Sequence, residues 1–199
     1  TPGRIIDLIK RRIISTRLIR LLIVDEADEM LSFSFQEQIK TIMKYISDKS
    51  QVCLFSATLS EQVLELTNQF MNQPQSILIK PEKLTLDGVK QFYIDTDTEL
   101  WKFETLCDIY NILSVSQTII YVNTIKRSIE LKKQLEEKRF TVSLIHSEMQ
   151  IDERIRIMKD FRSGSSRILI STDLLARGID IQQISIVINY DFPRGKNFK

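Results

Sequence analysis

Residues 21–30, LLIVDEADEM, constrain the fold more than any other stretch. Four consecutive apolar residues, Leu21 to Val24, run directly into Asp25, Glu26 and Asp28. An apolar run this short and unbroken reads as a strand buried on both faces. Such strands build parallel α/β sheets, in which ligands meet the chain just past the strands' carboxyl ends. In a chain that binds nucleotide, a carboxylate pair at that point suits a Mg²⁺ ion. Magnesium takes hard oxygen ligands and keeps several waters, so one carboxylate acting through water is enough. The second can orient or deprotonate an attacking water. The alternative is a solvated acidic turn opening a helix, where negative charge complements the helix dipole.

The rest of the chain repeats the rhythm of apolar strand and amphipathic helix. TPGR (1–4) is a turn feeding a helix whose apolar stripe is Ile5, Ile6, Leu8, Ile9 and Ile13. Backbone N–H groups there, with Arg4 in the first turn, can hold a phosphate; a plain turn is the other reading. A helix near 35–47 precedes the buried strand QVCLF (51–55), which ends in Ser56-Ala57-Thr58. Ser60 is placed to cap a helix near 61–71, and SILIK (76–80) reads as a third strand. Residues 81–98 read as an interdomain linker containing a short strand, Gln91–Ile94. The second α/β layer, 99–199, opens with a helix near 99–114 on which Trp101 is a packing residue. Strands follow at 117–122, 141–146, 167–172 and 184–190. The first ends in Asn123-Thr124, with Thr124 placed to cap helix 125–138; the third ends at Asp173. Asp152 is the expected cap of helix 152–161, and LLARGID (174–180) is a loop or short helix. His146, the one histidine, is a strand-end residue rather than a ligand or base. The fold class is therefore α/β, two tandem parallel-sheet layers with polar signatures at the strands' carboxyl ends, where a cleft between the layers would be lined.

Composition excludes some alternatives. Lys plus Arg is 28 against 26 for Asp plus Glu, a net charge of +2, so any phosphate-binding surface has to be a local patch. Cys53 and Cys107 are far apart and fit no zinc or redox spacing. No segment approaches the apolar length of a membrane span, and the start carries no signal-peptide pattern. The chain opens without Met, in what reads as the middle of a motif, which is what a fragment looks like.

TPGR (1–4), DEAD (25–28), SAT (56–58), IIYVNT (119–124) and STDLLARGID (171–180) stand in the order and approximate spacing of one family. On these residues the chain resembles the DEAD-box RNA helicases along essentially its whole length. The set disfavours a DNA helicase or another RecA-type motor. Within the family, LTLDGVKQFYI (84–94), FRSGSSRILISTDLLARGIDIQQ (161–183) and VINYD (187–191) resemble members acting in translation initiation, with exon-junction members as the second reading.

The resemblance implies two RecA-like domains, both incomplete here: 1–80 as the later part of the ATP-binding domain and 99–199 as the second domain. They would close over ATP on one side and single-stranded RNA on the other. It implies that Asp25 holds Mg²⁺ through water and that Glu26 is the general base. Asp28, Ser56, Ala57 and Thr58 would couple ATP state to strand separation. Thr1, Gly3 and Arg4 would touch RNA phosphates, and Asn123, Thr124, Thr172 and Asp173, with Arg154, would grip the RNA backbone from the second domain. Asp180, with Arg177 and Gly178, would meet the ATP ribose. Expected partners are single-stranded or duplex RNA without strong sequence preference and an MIF4G-type scaffold protein, with no membrane. The expected location is cytoplasmic, with nuclear as the alternative.

The departures from the family pattern are specific. Ser147 and Glu148 replace Gly-Asp after His146, and Ile151 stands where Gln is usual, while Arg154 is kept. Phe33 and Ser34 replace Arg-Gly after the acidic box. The adenine-recognition glutamine motif, a GxxxxGK[ST] loop and an HRxGRxxR segment are absent from these 199 residues. A first domain without its opening strand and P-loop helix is expected to leave a sheet edge unpaired and apolar surface uncovered, so the second unit should be the better folded. Phosphoryl transfer depends on the P-loop lysine and on arginines, one of which can supply roughly 10³–10⁵ in rate. The 199-residue polypeptide by itself is therefore expected to hydrolyse ATP, with RNA present, no faster than its Glu26→Gln variant. A phosphate-release assay on the two proteins checks this.

Overall fold

A computed structural model describes residues 1–32, 34–58, 61–79, 88–113, 116–175, 179 and 181–192. The chain separates into two compact units, Thr1–Lys90 and Gln91–Lys199.

In the first unit, α1 (Pro2–Lys10) is followed by β1 (Leu21–Val24), the one-turn α2 (Ala27–Met30), α3 (Gln36–Met43), β2 (Gln51–Leu54) and α4 (Glu61–Phe70). TPGR is not a separate turn. Pro2 is already helical, because its fixed φ and missing N–H suit the first helical position. β1 and β2 pair in parallel, Leu21 opposite Gln51 through Val24 opposite Leu54. Val24, Ala27, Leu31, Ile39, Ile42 and Val63 form the core, with Leu22 and Leu54 packed against it.

The expectation that β1 is buried on both faces does not hold. Side chains alternate across a strand, and Leu21 and Ile23, on the face away from the core, are 47% and 56% exposed. The expected strands at 76–80 and 91–94 are not formed: residues 76–79 and 91–94 lie outside any strand. A strand needs a partner ladder, and β1 and β2 bond only to each other among the described residues. Ile77 is accordingly 96% exposed. The apolar surface expected to be uncovered in this unit is therefore present. Ser60 and Phe33, named above, lie outside the described residues.

The second unit runs α5 (Trp101–Ile112), β3 (Gln117–Tyr121), α6 (Ile125–Glu137), β4 (Val142–Ile145), α7 (Ile151–Arg162), β5 (Ile168–Ser171), a 3-10 turn (Asp173–Leu175) and β6 (Ile184–Asn189). Its strands are ordered β4-β5-β3-β6 and all pair in parallel. Here the inner strands are buried on both faces. Ile120, Ile168, Ile170 and Leu144 pack with Leu106 of α5 and Leu131 and Leu135 of α6. Their neighbours Ile119, Leu169 and Ile145 pack on the other face with Phe161 of α7. The layer is thus helix, sheet, helix, as continuous apolar runs require.

Three polar details fix this layer. Thr124 caps α6, its hydroxyl accepting the Arg127 N–H at 3.2 Å. Gln117 Nε2 donates to the carbonyls of Phe161, at 2.6 Å, and Ser166, tying the start of β3 to the end of α7. Gly164, at φ 81°, turns the chain out of α7 while the Ser165 N–H bonds the Asp160 carbonyl. Asp152 does not cap α7: Gln150 occupies that position without a side-chain bond, and Asp152 lies in the first turn. There its charge still favours the helix dipole. Trp101 is not the packing residue expected of it, being 63% exposed at the start of α5.

Tyr110 on α5 lies tilted against Phe140, ring centroids 5.4 Å apart. Burial pushes its phenol up to about 12, against a smaller lowering by the Thr118 hydroxyl. The unfolded phenol titrates near ~10. Between those values the folded chain keeps a proton that the unfolded chain releases, so stability falls as pH rises through that window. Denaturant titrations should show the second unit losing stability between about pH 10 and 12. Tyr110→Phe should lose less across the same interval.

Candidate functional site

Both units carry their polar residues where parallel strands end. In the first, pairing continues past the strands: the Phe55 N–H bonds the Val24 carbonyl and the Ala27 N–H bonds the Phe55 carbonyl, each at 2.9 Å. The chain then turns sharply. Asp25 Oδ1 accepts the Glu26 N–H at 2.8 Å. Glu26 sits at φ 50°, ψ 49°, a left-handed conformation costly for a residue with a Cβ. Its carbonyl accepts the Glu29 and Met30 N–H groups, which starts α2. The turn aims α2 at the end of β2. The Asp28 N–H donates to Ser56 Oγ at 3.3 Å, and Asp28 Oδ2 accepts the Thr58 hydroxyl at 2.5 Å. Ser56 Oγ donates in turn to the Thr58 carbonyl at 2.7 Å. Asp28, Ser56 and Thr58, grouped by sequence, are therefore bonded to each other across 28 and 30 residues of chain, with Ala57 exposed between the two hydroxyl residues.

Among the described residues, no three His, Cys, Asp or Glu side chains cluster as a metal cage. Asp25 is exposed and Glu26 half-buried at one strand end. That donor set fits a hexahydrated-type ion such as Mg²⁺, which is held by one or two carboxylates together with water and phosphate oxygens. It does not fit an ion that needs a full protein cage.

At the start of this unit in sequence, Thr1 stands before α1 without a side-chain cap, and Gly3 and Arg4 are exposed in its first turn. A Cβ on Gly3 would lie 3.3 Å from Gln38 Oε1, so a small residue lets α1 approach α3. Arg4 pairs with Asp7 at 3.2 Å, and Asp7 also holds Arg11 at 2.7 Å.

In the second unit, register sets Tyr121 beside Ser171 on one side and Asn189 on the other. Asn123-Thr124 and Thr172-Asp173 therefore leave neighbouring strands at the same edge. Asn123 is held twice: its N–H donates to Asp191 Oδ2 at 2.9 Å, and its Nδ2 donates to the Phe192 carbonyl at 2.8 Å. Thr124 accepts at the cap of α6, which leaves its hydroxyl proton to give elsewhere. Thr172 is half-buried and Asp173, the first residue of the 3-10 turn, is exposed. Arg154 is half-buried on α7, whose first residue, Ile151, is exposed. Arg177, Gly178 and Asp180 lie outside the described residues.

Sequence reasoning missed the group that anchors this edge. Asp191 is only 8% exposed. Its Oδ1 pairs with Arg127 at 2.7 Å and with Lys102 at 3.2 Å. Glu99 pairs with both cations from the rim. Both cations also stand over the Tyr190 ring, 5.0 and 5.2 Å from its centroid. Burial raises the Tyr190 phenol, and Arg127 partly offsets this. The available signal was Asp191 itself, an acidic residue just past a strand's carboxyl end, like Asp25 and Asp173.

Residues 1–67 match the family model for the DEAD/DEAH box helicase, and residues 101–198 match that for the helicase conserved C-terminal domain. The chain is 54% identical over 196 residues to a Candida albicans protein called ATP-dependent RNA helicase eIF4A, covering 98% of this chain and 49% of that one. It is 50% identical over 193 residues to eukaryotic initiation factor 4A of Dictyostelium discoideum, covering 97% and 48%. Among solved structures, S. cerevisiae Dbp5 bound to RNA and ADP BeF3 matches with a TM-score of 0.89 at 34% identity, over 99% of this chain and 51% of that one. A DEAD box protein from Methanococcus jannaschii matches with a TM-score of 0.54 at 30% identity, over 97% and 52%. The chain thus spans about half the length of the curated relatives it matches.

The Asp191 network makes a stability prediction. Removing one member of a buried ion pair leaves its partners uncompensated, typically at ~3–5 kcal/mol. Lys102 and Arg127 are partly exposed, so Asp191→Ala should cost the second unit about 3 kcal/mol. Glu99→Ala, at the exposed rim, should cost below about 1 kcal/mol. Urea denaturation of both variants checks the contrast.

Proposed function

The chain belongs to the DEAD-box helicase family, and from that membership we propose that it supplies the nucleotide-responsive and RNA-gripping parts of an ATP-dependent RNA helicase acting in translation initiation. The observation that carries this reading is the bonded set Asp28, Ser56 and Thr58. It joins the acidic strand end to the hydroxyl-bearing one, so a displacement at either is felt at the other.

In this reading residues 1–80 are the later part of the ATP-binding RecA-like domain, 81–98 the linker and 99–199 the second RecA-like domain. Asp25 would hold Mg²⁺ through water, and the ion would supply charge neutralisation on the phosphates. Glu26 acts as base for the attacking water: its half-buried carboxylate stands next to Asp25, on a backbone turn that fixes its direction. Asp180, with Arg177 and Gly178, serves the ribose. Asp28, Ser56, Ala57 and Thr58 relay nucleotide state.

RNA is held through its backbone by Thr1, Gly3 and Arg4 in one unit and by Asn123, Thr124, Arg154, Thr172 and Asp173 in the other. Backbone contacts position a strand without reading its sequence, which agrees with partners that are RNAs in general. The matched Dbp5 structure is described as RNA-bound, which supports the same ligand class here. An MIF4G-type scaffold and a cytoplasmic site of action belong to the translation reading, and a nuclear exon-junction clamp is its alternative.

The second reading is a non-catalytic RNA- or partner-binding protein. Duplex displacement decides between them. The native gene product, purified from its source, should separate a short RNA duplex only with ATP and Mg²⁺, and Glu26→Gln should abolish this while RNA is still bound. RNA binding with no displacement by the parent protein would establish the second reading, and no RNA binding at all would remove the helicase reading and leave partner binding alone.

A further inference from the structure

Tyr121, the last residue of β3, touches all three strand ends at the edge described above. Its carbonyl accepts the Tyr190 N–H at 3.0 Å and the Asp191 N–H at 3.3 Å, which fixes the end of β6. Asp191 in turn fixes Asn123. Its hydroxyl reaches the other way and donates to the Leu175 carbonyl at 2.9 Å, closing the 3-10 turn that begins at Asp173. The Tyr121 side chain, Leu174 and Leu175 each pack against the cluster around Phe161. Burial, and then the nearby Asp173 carboxylate, raises the Tyr121 phenol.

Among the described residues, the turn's other backbone hydrogen bond is local. The Leu175 N–H bonds the Thr172 carbonyl at 3.5 Å, a bond within the turn's own segment. Past the Val122 N–H bond to the Ser171 carbonyl at 3.0 Å, this hydroxyl and the apolar packing of Leu174 and Leu175 join the turn to β3, and with it the two loops assigned to RNA, Asn123-Thr124 and Thr172-Asp173.

From this we infer that Tyr121 is a positioning residue for RNA: its hydroxyl locks the Asp173–Leu175 turn to the end of β3, so that the two loops meet the RNA backbone as one preformed surface. The inference rests on the RNA reading above. The physical gain is preorganisation, since a surface already ordered loses less freedom when ligand binds. One neutral hydrogen bond corresponds to about a 2- to 10-fold change in an equilibrium constant.

The test compares Tyr121→Phe with Tyr110→Phe, which removes another largely buried hydroxyl from the same unit at a distance from the loops. Each full chain is measured for fluorescence anisotropy with labelled oligouridylate, for thermal midpoint and for amide hydrogen exchange. Tyr121→Phe should weaken RNA binding about 5-fold, and Tyr110→Phe should leave it unchanged. Exchange at the Leu174 and Leu175 amides should quicken in Tyr121→Phe even without RNA. In an Asp173→Ala background the Tyr121→Phe effect on RNA affinity should shrink toward none, because the turn no longer presents its contact.

RNA affinity unchanged in Tyr121→Phe would overturn the inference. So would a loss that adds in full to that of Asp173→Ala, or one that merely follows the thermal midpoint in both tyrosine variants. A parent chain that does not bind oligouridylate would overturn the RNA reading and with it this role; quickened exchange would then leave Tyr121 as a clamp of the turn alone.

Discussion

Parallel pairing in register is the constraint on which the rest depends. A parallel ladder brings every strand's carboxyl end to the same edge. Whatever polar residues follow the apolar runs are then gathered there, however far apart they are in sequence. Leu21–Val24 beside Gln51–Leu54 brings Asp28 to Ser56 and Thr58. Gln117–Tyr121 between β5 and β6 brings Asn123, Thr172 and Asp191 together in the same manner. The apolar core sets the strands, and the strands deliver the chemistry.

The two units differ in how completely they use that device. In the second, helices cover both faces and the inner strands bury nearly every side chain. Its edge is then tightened by charge: a carboxylate with two cations and an aromatic ring beneath them. In the first, one face of a two-stranded ladder is covered and the other shows Leu21 and Ile23. Its order at the functional edge comes instead from short polar bonds between neighbouring turns.

Much of this was legible in the residues. The runs at 117–122 and 167–172 could be read as strands from their short apolar stretches, and Thr124 could be read as a cap from its place between strand and helix. The family likewise rests on motifs whose order survives in sequence. What could not be read depended on distant partners. An apolar run such as 76–79 becomes a strand only where a ladder offers a place, and none is offered among the described residues. Tyr121 looked like one more apolar strand residue, yet its hydroxyl bond spans 54 residues and the Asn123–Asp191 bond spans 68. Neither has a local signature.

Glu26 has a consequence for how this chain can change. Its left-handed backbone favours glycine, or failing that asparagine, over any carboxylate with a longer stem. The side chain that the proposed chemistry needs is thus the one that the local backbone would most readily give up. Under the proposed base role, glutamate here is held by its chemistry against the preference of its own backbone.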